Sequence, residues 1–141
     1  MLTGLLVHRG CGLGKIAGGY RARHQQIPAG SRRIAFHSPA LGRFEGRNAI
    51  RNFFRGASGI FSFAIHYSLN GHIEVDGDTA RARWYLFMPC TVAAGNQAVW
   101  RAGIDYETYA RANGTWMFRH KRSEPLMSVP FETGWAKKRF A

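Results

Sequence analysis

The side chains best suited to moving protons at neutral pH are the six histidines, because an imidazole titrates near pH 6.5. His66 sits within FSFAIHYSL, a run rich in apolar residues. Facing a pocket, it would be kept neutral by apolar walls and ready to accept a proton. Turned into packed core, it would be a histidine satisfied by backbone hydrogen bonds. His37 and His72 could join it, but no spacing suggests metal ligation. The His and carboxylate set that holds zinc or iron is absent. His120, in RHKR, reads as solvated. Asp105 shares strand parity with Glu107 and Tyr109 in GIDYETY. Facing inward it could serve as an acid; facing outward it would be an exposed residue paired with an arginine. Tyr67, Trp84, Tyr85 and Met88 could line a pocket, although such residues in long strands also make plain core.

These residues need a scaffold, and the pattern supplies one from Ile34 onward. RIAFHS predicts a short strand ended by Pro39. GRFEGRNAIRNFFRG predicts a helix with Ile50, Phe53 and Phe54 on one face and Arg47, Arg51 and Arg55 on the other. Four strand signals follow, over 61–75, 79–91, 98–111 and 115–122, rich in aromatic and β-branched residues. Asp76-Gly77-Asp78 and Asn113-Gly114 are hairpin turns. In the second strand Ala80, Ala82, Trp84, Leu86 and Met88 oppose Arg81, Arg83 and Tyr85. Strands longer than the usual five or six residues must twist and coil, and Gly71 and Gly103 sit where they could bend or bulge. The expectation is an α+β domain, a cone-shaped, strongly curved, mainly antiparallel sheet packed on helices and enclosing a pocket. Pro125 and Pro130 are read as releasing the chain into a basic tail over 125–141.

Composition narrows the rest. The 141 residues suit one domain, and no apolar run reaches the roughly 18 residues of a membrane span. No secretion signal is recognised at the start, so a cytoplasmic protein is expected. The charge is +12, from 20 Lys+Arg against 8 Asp+Glu, and no acid precedes Glu45. Residues 1–33 therefore read as a basic, glycine-rich leader, irregular or built of atypical helices. GCGLGKIAGG is no phosphate loop, because Arg9 and Ile16 stand where a glycine and a Ser or Thr are needed. Cys11 and Cys90 make no metal or redox spacing, and Cys90 is expected as a buried free thiol.

Together AIHYSLNGHIEVDGDTARARWYL, WRAGIDYETYARANGTWMFRH and LGRFEGRNAIRNFF resemble the SnoaL-like group of the nuclear transport factor 2-like superfamily. Polyketide cyclases, scytalone dehydratase and hexachlorocyclohexane dehydrochlorinase are among its members. The resemblance covers about residues 34–124. It implies a cone with a pocket between bent sheet and helices, usually in a dimer or trimer, and a general-base role for His66. Those relatives orient that histidine with an aspartate on their N-terminal helices, and this chain has no acid there. Asp105 is the candidate replacement.

Two functions compete on these grounds. One is a cofactor-independent, metal-free lyase, isomerase or cyclase acting on a small apolar metabolite, with His66 as base. The other is a non-catalytic ligand-binding or interaction domain of the same fold. Nucleic acid is not the partner expected despite the charge, because the arginines are dispersed and match no recognition motif.

Overall fold

Alternation of apolar and polar residues with β-branched and aromatic side chains makes most of this chain strand. The computed structural model describes residues 35–140 apart from 40, 58 and 138. The leader and Cys11 lie outside the described residues. The elements are β1 (Ala35–Ser38), β2 (Gly42–Glu45), α1 (Gly46–Ala57), β3 (Phe61–Ala64), β4 (Tyr67–Asp76), β5 (Thr79–Val92), β6 (Gln97–Ala112) and β7 (Thr115–Pro130). They form one seven-stranded sheet in the order β2-β1-β7-β6-β5-β3, with β4 also paired to β5. Only β1 runs parallel to its neighbour β7; the other described pairs are antiparallel. The result is an α+β cone, a curled half-barrel closed on its inner side by α1, with a short 3-10 turn (Ala94–Asn96) between β5 and β6.

The expected α1 face is the one that packs. Ile50 is buried against Phe36, with Phe44, Phe53, Phe54 and Phe118 around them. A second cluster joins Ala64, Met88, Cys90 and Val99 on β3, β5 and β6. Burying one side chain of this size stabilises by roughly 1.5–3 kcal/mol. These two clusters fix α1 and β3 to opposite parts of the sheet and leave a cavity between them. Among the described residues, no helix is long and apolar enough to cross a membrane.

Curvature comes from local breaks in the ladders. The expected first strand is interrupted at Ile65 and His66, so β3 and β4 follow the same partner, β5, as separate strands. Its register shifts again between Leu69 and His72. There the ring of Trp84 lies over Gly71, where a Cβ would stand 2.2 Å from it. A further shift falls between Ala102 and Gly103, where a Cβ on Gly103 would lie 2.8 Å from the carbonyl oxygen of Glu124. Both expected bending glycines thus serve close approaches. The last strand was expected to end at Arg122 and instead continues to Pro130. Pro125 is tolerated because it sits at that same shift, where the ladder needs no N–H from it.

Candidate active site

His66 occupies the break between β3 and β4, which turns it to the cavity wall rather than into a ladder position. The cavity has a volume of about 260 Å³. Phe53 and Phe54 of α1, Phe61 of β3, and Leu86 and Met88 of β5 give it apolar walls. Asp105 of β6, with Lys121 and Ser123 of β7, supplies polar groups on the floor.

The cross-strand register explains that grouping. Asp105 faces Trp84 on β5 and Ser123 on β7, while Glu107 faces Lys121. Residues opposite each other share a sheet face, so the two carboxylates, the lysine and the serine all point inward. Asp105, Glu107 and Lys121 are 3%, 8% and 7% exposed. The outward reading of Asp105 is therefore corrected: it is buried, and its partner is a lysine. The Lys121 Nζ donates to Asp105 Oδ2 at 2.6 Å and to Glu107 Oε1 at 3.2 Å. Ser123 Oγ donates to Asp105 Oδ1 at 2.6 Å. On the far side the Tyr109 hydroxyl donates to Glu107. A continuous polar chain thus links β6 and β7 beneath the cavity.

Burial sets its electrostatics. Desolvation lowers the His66 pKa to about 4, the charge of Lys121 pushes the same way, and Asp105 opposes. The imidazole is neutral at physiological pH and can accept a proton. Once protonated it would stand near a trio of formal charge −1, two carboxylates and one ammonium. Desolvation, then the charge of Glu107, pushes the Tyr109 hydroxyl well above its usual range, so it stays a donor. Burial likewise raises the Cys90 thiol, which donates to the Val99 carbonyl oxygen at 3.7 Å.

The other sequence candidates separate. Met88 lines the cavity beside His66 and Asp105. Tyr67, Trp84 and Tyr85 are not among its described lining residues. Tyr67 stacks on Phe87, and Phe87 on Trp100. Tyr85 is 38% exposed beneath Arg83, and the Trp84 ring is occupied with Gly71. His72 does not join His66: it is exposed on β4 and meets Glu74 at 3.1 Å. His120 is half-buried rather than solvated, and burial lowers its pKa. Among the described residues no group of three or more His, Cys, Asp or Glu side chains could hold a metal ion. Lys121, Ser123 and Arg101 are wall residues that composition alone did not single out.

A curled sheet with one helix over a polar-floored cavity defines the class, and the comparisons define the family. The sequence model of the SnoaL-like domain matches residues 31–122, and the chain belongs to that family. No curated protein matches the sequence. Solved structures share the fold. One is a hexachlorocyclohexane dehydrochlorinase, LinA type 2, at 18% identity and TM-score 0.69, covering 85% of this chain and 76% of that one. Another is LinA-type3 from Novosphingobium barchaimii LL02, at 17% identity and TM-score 0.68, covering 83% and 82%. A nuclear transport factor 2-like protein with a cystatin-like fold from Novosphingobium aromaticivorans gives 19% identity and TM-score 0.64, covering 81% and 75%.

Proposed function

We propose that this chain is a cofactor-independent lyase, isomerase or cyclase acting on a small, largely apolar molecule. The observation that supports it most is a neutral, half-buried His66, its Nδ1 shielded from solvent, sharing one apolar cavity with buried Asp105. His66 takes a proton from a substrate carbon. The electron pair left behind expels a neighbouring leaving group or moves onto an adjacent carbonyl. The negative charge of Asp105 favours the imidazolium so formed, while Lys121 and Ser123 hold the carboxylate in place. Met88 and the phenylalanines of α1 shape the space for the substrate body, and the protein works in the cytoplasm as a dimer or trimer. That assembly would cover Leu69, Ile73 and Val75, exposed along β4.

His66→Ala tests the base. The expected result is loss of turnover by two or more orders of magnitude with circular dichroism and melting behaviour retained. Unchanged turnover would remove His66 from the mechanism. One observation favours the binding-domain alternative: both Asp105 oxygens already accept bonds from Lys121 and Ser123. Equal ligand affinity in wild type and His66→Ala, with no turnover in either, would establish that alternative.

A further inference from the structure

Arg101 is a wall residue that the proton-transfer chemistry leaves unused. It stands on β6 opposite Met88 of β5 and Ser128 of β7, on the same inward side as Gly103 and Asp105. Its Nε is buried and finds no hydrogen-bond acceptor among the described residues. All eight side-chain carboxylates of the chain lie within the described residues, and none forms an ion pair with Arg101. Its guanidinium lies over the ring of Phe61, 5.1 Å from the centroid. That contact offsets only part of the cost of desolvating a cation. An arginine held in a cavity wall without an anion is a poor device for stability and a good one for recognition, because its planar fork matches a carboxylate.

We propose that Arg101 anchors the carboxylate of an amphiphilic substrate, whose apolar body fills the cavity toward His66 and Asp105. The substrate class is a small ring-bearing or branched carboxylic acid. This rests on the cavity being the site of reaction, and it deepens that reading by naming the substrate's head group. Arg101 and Asp105 are four residues apart on one strand, about 13 Å at the usual rise. The charges that act on His66 are those of Lys121 and Asp105. The Arg101 guanidinium instead reaches Phe61 at the start of β3, where Phe61 pairs with Val92, so it holds the ligand at the end of the cavity away from Asp105.

The test uses matched pairs: benzoate with benzamide, cyclohexanecarboxylate with its amide, and 2-naphthoate with 2-naphthamide. Affinities are measured by titration calorimetry on the full chain. Wild type is expected to bind at least one carboxylate about ten-fold or more tightly than its amide, in line with a charge-assisted bond. R101M should abolish that preference, and R101K should keep part of it. The denaturation midpoint of R101M should match or exceed wild type, since a half-buried charge without a carboxylate partner is removed. His66→Ala should keep the preference while losing turnover, so the anchor and the base fail separately. Equal binding of acid and amide by wild type, a preference that survives R101M, or binding of no carboxylate in the set would overturn the proposal.

Discussion

The depressed His66 pKa makes stability depend on pH in a way that one substitution can isolate. In the unfolded chain the imidazole titrates near 6.5, whereas in the folded protein burial and Lys121 hold it at about 4. Between those values the unfolded state carries more protons, so stability rises with pH through this window. The contribution is fully present above pH 6.5 and is lost as pH falls toward 4. At 1.36 kcal/mol per pH unit the whole window is worth roughly 3 kcal/mol, and about 2 kcal/mol of it is gone by about pH 5. His66→Gln removes this titration and leaves the other acids of the chain in place. Urea unfolding followed by tryptophan fluorescence should therefore show wild type losing about 2 kcal/mol more than His66→Gln between about pH 7.5 and pH 5. Parallel pH curves for the two proteins would refute the reasoning, because they would place His66 in solvent or in contact with a group that keeps it protonated.

The same electrostatics predicts that kcat/KM, once a substrate is found, stays flat from about pH 8 to pH 5 and falls near pH 4; a midpoint near 6.5 would contradict the half-buried, neutral base. Lys121→Met leaves Asp105 and Glu107 buried without their shared cation. A loss of about 3 kcal/mol or more is expected at neutral pH, largely recovered by adding Asp105→Asn and Glu107→Gln, as chemical denaturation of the single and triple variants would show. Gly103→Ala forces a Cβ against the Glu124 carbonyl oxygen at 2.8 Å. Because the obstacle is backbone, thermal melting should show a cost of about 1–3 kcal/mol.

The fold was legible because its signals are local and repeat along the chain. The α1 face of Ile50, Phe53 and Phe54, the two hairpin turns, and the alternation from Ala80 to Met88 each fix an element without knowledge of its neighbours. The site was only half legible, for a reason set by register. Counting back from the Asn113-Gly114 turn, an unbroken ladder would set Lys121 opposite Tyr106, on the outward side. The shift between Thr108 and Tyr109 leaves Arg119 outside the pairing and sets Lys121 opposite Glu107 instead. One bulged residue thereby turns both Lys121 and Ser123 inward, and a slip of one position exchanges the faces of everything beyond it. Basic residues in RHKR carry no sign of that slip. Trp84, which has the right parity, is claimed by Gly71, a contact visible only once the β4 shift is known.

Charge order along the inward side of β6 gives the cavity a direction. Arg101 is followed by Gly103, which has no side chain, and then by the acids Asp105 and Glu107. An anionic ligand is drawn to the Arg101 end and repelled from the Asp105 end, leaving its apolar body where His66 can reach it. Asp105 thus has two opposed effects on an acid substrate: its charge weakens binding and favours the imidazolium that forms during proton transfer. Asp105→Asn separates them. Removing one negative charge should tighten carboxylate binding severalfold and slow turnover by ten-fold or more, with the pair Lys121–Glu107 still in place. Calorimetric affinity for the bound carboxylate and single-turnover rates read the two effects independently. A carboxylate binding more weakly to Asp105→Asn would mean that Asp105 positions Lys121 to receive the anion, and the direction assigned to the cavity would be reversed.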